Sequence, residues 1–175
     1  MRYSLIVLGI CLAAIVVGGA LYMYGPDVLR ENPLKENGAS ALGADLAEEV
    51  SFSVLAEGQD SQIMERKNFA AYSREDFQDL WTRAFGENAP ALPSVNFDES
   101  YVIGVFAGQK PSGGHSIAVS RVVDENSVRS VAITITRPGA GCVTSQALTS
   151  PYQFVVVPFS DRPLAKTDQE VEDCL

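Results

Sequence analysis

The chain has 175 residues, of which 46% are hydrophobic and 20% are charged, and its formal net charge is −9 at pH 7. Arg2 is the only charged residue among the first 26, so all 22 acidic side chains belong to the remainder. An acidic surface repels phosphate, which argues against nucleic acid as a partner and against a polybasic attachment to anionic lipid. The length is that of one domain with an additional segment.

Residues 5–24 form an uncharged apolar run, LIVLGICLAAIVVGGALYMY. A helix of this length rises about 30 Å, which is the thickness of the hydrocarbon core of a bilayer. Tyr3, Tyr22 and Tyr24 flank the run, where aromatic rings favour the membrane interface. We therefore expect residues 1–25 to be a transmembrane helix that enters the lipid bilayer as an uncleaved signal-anchor.

The orientation follows from the few charges near this helix. Arg2 and the α-amino group precede it, so the positive-inside rule predicts that the N-terminus is cytoplasmic and that the rest of the chain is outside. A cleaved signal peptide ending near Ala20 and a lipoprotein acylated at Cys11 are the alternatives. The length of the apolar run disfavours the first, and Ile10 directly before the cysteine disfavours the second.

Residues 26–48 mix Gly, Ala, Asn and charged side chains without sustained periodicity, which is typical of a linker. The soluble domain is expected to span residues 49–175. It opens with residues 50–54 (VSFSV), whose apolar side chains alternate with serines as in a half-buried strand. A second strand is predicted over residues 62–72 and would pair with the first as a β-hairpin.

One helix is predicted in the domain, from Arg74 to Phe85. Ser73 is a suitable N-cap, and Gly86 is a typical residue for a helix to end at. Apolar residues recur at i, i+3, i+4, i+7 and i+8, so the helix has a single apolar face. That face consists of Phe77, Leu80, Trp81, Ala84 and Phe85, and we expect Trp81 to lie in the core.

The remainder of the domain has β-type patterns separated by turns. The first segment, YVIGVFA, is apolar on both faces, which predicts a central strand covered by the helix. The later segments alternate, and Pro158 would place the end of the last strand at a sheet edge or a bulge. The fold class is therefore α+β, with a mainly antiparallel β-sheet and one packed α-helix. The predicted strands span residues 101–107, 115–123, 128–136 and 153–159.

The sequence contains little that points to catalysis. His115 is the only histidine, and it follows a predicted Gly-Gly turn, where a structural role is the simpler interpretation. No nucleophile elbow, phosphate-binding loop or dinucleotide fingerprint is present, and a single histidine argues against a zinc site. Asp98 and Glu99 are the one tight carboxylate pair before the central strand, and adjacent carboxylates in a turn are usually solvated. We therefore expect no enzymatic activity, no cofactor and no metal.

Two cysteines lie in the predicted domain, Cys142 and Cys174. In an extracytoplasmic domain they would form a disulfide that closes a loop of about 33 residues, to which the chain-entropy model assigns roughly 3.7 kcal/mol. The bridge would attach the C-terminal segment VEDCL to the domain. Two free thiols are the alternative.

Two stretches, YVIGVFAGQKPSGGHSI and TRPGAGCVTSQALTSPYQFVVVP, flank a pair of alternating strands. In this order of strands and Gly-rich turns, the segment from Tyr101 to Phe159 resembles the C-terminal domain of the PrcB family. His115 departs from the pattern, since an aromatic residue such as tyrosine is expected there. The residues that match the family are Gly113, Gly114, Pro138, Gly139, Cys142, Gln146, Pro151 and Tyr152.

The resemblance implies an exported, surface or envelope protein of bacteria without catalytic machinery of its own. The named member of the family binds and stabilises a protease, but the resemblance does not by itself imply a protease partner for this chain. We therefore expect a protein-interaction module in the bacterial inner membrane, with its domain in the periplasm or outside the cell and an envelope protein, such as a protease, as its partner. Stabilisation and inhibition of a protease are both open. Contact would use the Gly-rich loops at 108–115 and 137–152. The expected contact residues are Lys110, Gly113, Gly114, His115, Arg137, Gln146 and Tyr152.

A small-ligand or glycan-binding envelope domain is the principal alternative. It would need exposed aromatic side chains around a cleft, for which Tyr101, Tyr152 and Phe154 are the candidates. An enzyme would instead need a deep pocket that holds His115 with a carboxylate of the turn before the central strand.

Overall fold

The computed structural model describes residues 47–174, which form eight β-strands, one α-helix and a short 3-10 helix. The predicted anchor at 1–25 and most of the predicted linker lie outside these residues. Within 47–174, no helix is both long enough and apolar enough to cross a membrane. The elements are β1 Glu48–Glu49, β2 Ser53–Gly58, β3 Lys67–Ala71, α1 Arg74–Phe85, the 3-10 helix Gly86–Asn88, β4 Ser100–Phe106, β5 Ser116–Glu125, β6 Val128–Arg137, β7 Tyr152–Pro158 and β8 Leu164–Glu172.

The strands form two four-stranded sheets. Sheet A has the order β1-β5-β6-β8, and sheet B has the order β2-β7-β4-β3. Neighbouring strands are antiparallel except for β6 and β8, which are parallel. The predicted mainly antiparallel β-domain with one helix is confirmed, but its strands form two sheets rather than the single sheet that was expected.

Sheet B is the middle layer of the domain, between sheet A and the helix. On β4, Tyr101, Ile103 and Val105 face the core that is shared with sheet A. Val102 and Phe106 face the opposite core, which packs under α1. Because side chains on a strand alternate between faces, a strand covered on both sides is apolar throughout. The predicted central strand is therefore confirmed.

The helix has the predicted bounds, Arg74–Phe85. The Ser73 hydroxyl accepts a hydrogen bond from a backbone N–H of the first turn at 3.1 Å, as an N-cap does. Gly104 of β4 permits the close approach of the helix, because a Cβ atom there would lie 3.0 Å from the Phe154 ring and 3.3 Å from the Leu80 side chain. The buried residues of the helix are Phe77, Leu80, Trp81 and Ala84, as expected.

The predicted hairpin of the first two strands is wrong. β2 pairs with β7 and β3 pairs with β4, so these strands lie at opposite edges of sheet B. Val50 and Phe52 precede β2 and pack against the core between the sheets, whereas Val54 is 49% exposed. The alternating pattern reports which side chains are buried, but it does not identify the neighbouring strand.

β8 is a strand that no pattern in the sequence predicts. Its sequence, LAKTDQEVE, has no apolar run, and all but one of its residues are exposed. The strand is held by parallel pairing with β6 and by an ion pair between Arg66 and Asp168, with an N–O distance of 2.9 Å. Hydrophobic periodicity cannot predict an exposed, polar strand like β8, because the hydrogen bonds of its backbone, and not buried side chains, attach it to the sheet.

A buried glutamine joins the two sheets. The side-chain oxygen of Gln153 in β7 accepts a hydrogen bond from the backbone N–H of Val119 at 2.8 Å, and its Nε2 donates to Glu57 at 2.9 Å. The register of β5 against β6 shifts just after Val119. A bulge of this kind leaves a backbone group without a partner in its own sheet, and Gln153 supplies that partner.

An ion pair is buried on the inner face of β6. Arg129 and Asp124 have side chains that are 4% and 12% exposed, and two hydrogen bonds of 2.7 and 2.8 Å join the guanidinium to the carboxylate. Arg129 also donates to the carbonyl of Pro158 and, at 3.5 Å, to the hydroxyl of Tyr101. The hydrogen bond from Arg129 lowers the pKa of the Asp124 carboxyl below its usual value.

We predict that Asp124→Asn lowers the free energy of unfolding at pH 7 by about 3–5 kcal/mol, because it leaves the buried guanidinium without its counter-charge. The lowered folded pKa means that the carboxylate stabilises the protein above its unfolded pKa of about 3.9 and that this contribution is lost as the pH falls through the folded value. Urea unfolding between pH 7 and pH 3 should therefore show an acid-dependent loss that the variant lacks. Asp98→Asn, in an exposed turn, is the control and should retain it. Equal pH profiles for the wild type and Asp124→Asn would contradict the prediction.

Candidate functional site

Two Gly-rich loops pack against each other at one end of the domain and form the surface that we call the loop surface, residues 108–115 and 138–150. The first loop connects β4 to β5, and the second connects β6 to β7. The backbone N–H of Lys110 donates to the Thr149 carbonyl at 2.7 Å, and that of Thr149 donates back at 3.1 Å. The Thr149 hydroxyl donates to the Ser112 carbonyl at 2.9 Å. The loops are therefore connected by their own hydrogen bonds.

The Gly-Gly turn is a second place where these loops are in close contact. Gly114 has a φ of +79°, and a Cβ atom there would lie 2.9 Å from Thr144. A Cβ atom on Gly113 would meet the Ser145 hydroxyl, while the Gly113 N–H donates to the Ser145 carbonyl at 3.0 Å. Glycine suits position 114 for two reasons. It has no Cβ atom to collide with Thr144, and it adopts a positive φ that other residues disfavour.

A disulfide between Cys142 and Cys174 fixes the second loop to the end of β8, with Cα atoms 5.4 Å apart. The predicted disulfide is thereby confirmed, and the alternative of two free thiols is wrong. Beside it, the Asp173 N–H donates to the Arg137 carbonyl at 3.1 Å, and the Arg137 guanidinium lies 3.0 Å from the Glu172 carboxylate. The C-terminal segment is thus part of the framework that supports the loop.

The second loop displays large apolar side chains to solvent. Val143 is 100% exposed and Leu148 is 68% exposed, and Gln146 lies between them in the sequence with its side chain also exposed. These two aliphatic residues are not among the contact residues expected from the sequence, although an aliphatic residue within a Gly- and Ser-rich loop was the available signal. Exposed apolar groups on a framework held by hydrogen bonds and a disulfide are a feature of protein-binding surfaces.

The structure brings several of the expected contact residues to this surface. Gly113, Gly114 and Lys110 lie in the first loop, and Gln146 is exposed in the second. Arg137 is exposed at the end of β6 but is engaged with Glu170 and Glu172. Tyr152 differs from the rest, because its ring is 8% exposed and packs against Phe85 and Phe154 in the core under the helix.

His115 is partly buried where the first loop enters β5. Burial lowers the pKa of its imidazole, and the positive charge of Lys110 lowers it further, so both effects favour the uncharged form of the ring. Within residues 47–174 the ring forms no hydrogen bond with a serine or threonine hydroxyl. The nearby hydroxyls of Ser112 and Thr149 donate to backbone carbonyls instead. This arrangement does not activate a nucleophile.

The enzyme alternative required His115 beside Asp98 or Glu99, and the structure separates them. The two carboxylates precede β4, whereas His115 follows the loop that leaves its other end. A strand of this length spans roughly 20 Å, which is far beyond hydrogen-bond distance. Among the described residues there is also no group of three or more His, Cys, Asp and Glu side chains that could hold a metal ion.

The aromatic residues required by the glycan-binding alternative are buried. Tyr101, Tyr152 and Phe154 are 1%, 8% and 0% exposed, respectively. Tyr101 faces the core between the sheets, and the other two face the core under the helix. None of the three is available to stack on a sugar ring.

Residues 101–158 match the family described as PrcB C-terminal. The resemblance seen in the sequence is thereby confirmed for these residues. It runs from β4 to β7 and includes both loops of the loop surface, whereas the helix and β8 lie outside it. No curated protein and no solved structure matches the chain.

We predict that Cys142→Ser/Cys174→Ser lowers the free energy of unfolding by about 3.7 kcal/mol, because the bridge joins residues separated by 32 positions and restricts the unfolded chain. Chemical denaturation of the oxidised wild type and of the double variant measures this difference. Hydrogen exchange should accelerate in β8 and in residues 138–148, while the buried amides of β4 serve as the internal control. Unchanged exchange in β8 would show that its pairing with β6 is sufficient to hold it.

Proposed function

We propose that this chain, whose residues 101–158 match the PrcB C-terminal family, is a membrane-tethered and non-enzymatic module that binds a protease of the bacterial envelope and stabilises or regulates it. The observation that carries the proposal is the loop surface, which displays Val143 and Leu148 on a framework fixed by a disulfide. The partner that we propose for such a surface is another protein, because exposed aliphatic side chains lose their contact with water when a protein covers them.

The rigidity of the loop surface supports this function. Its two loops are joined by backbone hydrogen bonds at Lys110 and Gly113, and the Cys142 bridge holds the second loop to β8. A surface that is ordered before it binds loses less conformational entropy in the complex. Recognition by loops on a rigid β-framework is also the usual arrangement in binding domains.

The resemblance to the PrcB family is the reason why we propose a protease as the partner and a non-enzymatic function for the chain. Accessory domains of the PrcB type bind a protease and have no catalytic machinery of their own. The hydroxyls of Ser112 and Thr149 in the loop surface donate to backbone carbonyls, which is consistent with a binding function. Binding can stabilise a protease by favouring its folded state, whereas coverage of its substrate cleft would inhibit it.

The N-terminal segment defines where the protein acts in this proposal. Residues 1–25 would anchor the chain in the inner membrane with the N-terminus in the cytoplasm, and residues 26–48 would link the anchor to the domain in the periplasm or outside the cell. The disulfide agrees with an oxidising compartment. Attachment to the membrane would raise the effective concentration of the domain near a partner in the same membrane.

We predict that a photo-crosslinking amino acid at Gln146, in the full chain within native membranes, joins the loop surface to an envelope protease that mass spectrometry identifies. Val143→Asp or Leu148→Asp should decrease this crosslink by about tenfold or more, because a charge replaces an apolar contact at the interface. Gln169→Asp, on the outer face of β8, adds the same charge outside the loop surface and should leave the yield unchanged. A crosslink of equal yield in all three variants would contradict the proposal.

We predict that the full chain stays in the membrane fraction after carbonate extraction, because an apolar helix of this length partitions into the hydrocarbon core. Replacement of Val16 and Val17 by Asp should release the chain, since charged residues at the centre of a membrane helix are costly. Thr167→Asp/Gln169→Asp in the domain is the matched control. A shortened wild-type chain in the soluble fraction would instead indicate cleavage near Ala20.

A further inference from the structure

The described residues contain four strands at sheet edges, and β3 is the one that is least protected. β1 has two residues, and the register of β2 shifts between Val54 and Ala56. The register of β8 places Lys166 and Asp168 on the same side as the core residues of β6, so its inner side carries charge. Short length, bulges and inward charges all prevent an edge from pairing further. β3 has five residues in uninterrupted register and contains no proline.

The outer edge of β3 has unpaired backbone groups. Its residues Lys67–Ala71 pair with β4 on one side. Within residues 47–174 no backbone–backbone hydrogen bond joins its other side to another segment, although the Lys67 carbonyl accepts a hydrogen bond from the Arg66 guanidinium at 3.1 Å. An edge with a free row of N–H and C=O groups is a template for an additional strand.

An apolar groove of about 240 Å³, which we call the inner groove, lies between β3 and β8. Its β3 side is formed by Asn68 and Ala70, which are too small to fill the space. Core residues Ile103 and Ile133 form the floor of the groove and are themselves buried. Leu164, which is 38% exposed, lines the β8 side together with Ala165 and Lys166. An apolar side chain in the inner groove would complete the core between the sheets at this edge.

The opposite side of β3 is acidic. A cleft of about 260 Å³ between β3 and the helix is lined by Asp76 and Asp79. Neither carboxylate forms an ion pair within the part of the chain that the structure describes. The cleft also contains Arg83, whose guanidinium lies 5.6 Å from the centre of the Phe69 ring. Two carboxylates against one guanidinium leave a net negative charge, which a basic side chain would complement.

We propose that the outer edge of β3 binds an extended segment of the partner protein as an added strand, with apolar side chains in the inner groove alternating with Lys or Arg side chains beside Asp76 and Asp79. The alternation follows from strand geometry, because successive side chains point to opposite faces. The proposal rests on the proposed function as a protein-binding module and adds a second surface with a defined chemistry.

The β3 edge begins next to the loop surface. Lys67, the first residue of β3, pairs with Phe106 at the end of β4, and the chain then enters the first loop. The Gln109 N–H donates to the Met64 carbonyl at 3.0 Å, which joins that loop to the segment before β3. One partner protein that covers the loop surface can therefore extend a strand along β3.

The test uses a short fluorescein-labelled peptide of alternating Ile and Lys residues, measured by fluorescence anisotropy with the purified full chain in detergent. The expected result is saturable binding that weakens by about tenfold when Glu replaces Lys in the peptide. N-methylation of the peptide amides that face β3 should abolish binding, because it removes the hydrogen bonds of the added strand. Equal binding by the N-methylated peptide would overturn the proposal.

Variants of the protein separate the two sides of the strand. Ala70→Lys adds a charge to the inner groove at an exposed position and should weaken binding of the Ile/Lys peptide by about tenfold or more. Ser53→Lys, exposed on β2 at the other edge of sheet B, is the matched control and should bind like the wild type. Asp76→Asn/Asp79→Asn should remove the preference for Lys over Glu. Unchanged binding by Ala70→Lys would exclude the β3 edge.

Hydrogen exchange of the wild-type chain keeps the test independent of variant folding. The Ile/Lys peptide should slow exchange in residues 67–71, whereas protection elsewhere without protection of β3 would overturn the proposal. The crosslink from Gln146 distinguishes this inference from the proposed function. A partner crosslink that Ala70→Lys does not weaken, together with no peptide binding, would refute the added strand and leave the loop surface as the binding site. Peptide binding without any partner crosslink would support the added strand at β3 and would contradict the loop surface as the binding site.

Discussion

The burial of sheet B on both faces is the constraint on which the rest of the domain depends. Its inner strands β4 and β7 send alternate side chains into two separate cores, one shared with sheet A and one under the helix. A strand buried on both faces must be packed closely by its neighbours on each face. On the helix side, the absence of a side chain at Gly104 lets Leu80 of the helix approach the backbone of β4. The edge positions of sheet B are then left to β2 and β3, which have less apolar surface to bury.

Packing two sheets together also determines which polar groups the interior contains. Gln153 pairs with a backbone N–H at a bulge of β5, and Arg129 is paired with Asp124 beside the hydroxyl of Tyr101. Both of these buried side chains have hydrogen-bond partners, which offset the cost of their desolvation. These residues connect the sheets through directional bonds, so they restrict how one sheet can slide over the other.

The two surfaces proposed for binding arise from the same architecture. β4 and β7 both reach the end of the domain where the Gly-rich loops meet, and the Cys142 bridge holds the second loop against β8. At the side of the domain, β3 and β8 are edge strands with a groove between them, and the small side chain of Ala70 leaves that groove open. One partner protein could therefore bind both surfaces, with one part on the loop surface and a neighbouring extended segment along the outer edge of β3.

Local patterns in the sequence were sufficient to predict the helix from Arg74 to Phe85, the apolar central strand and the Cys142–Cys174 bridge. The helix and the strand each depend on the spacing of apolar side chains along one segment. The disulfide depends on there being two cysteines in the domain, so each has the other as its partner. Tertiary structure alone decided that β2 pairs with β7, that the polar segment 164–172 is a strand, and that Tyr152 is buried. The reason is physical: strand partners and burial depend on which distant surfaces meet, and backbone hydrogen bonds at an edge do not depend on side-chain periodicity.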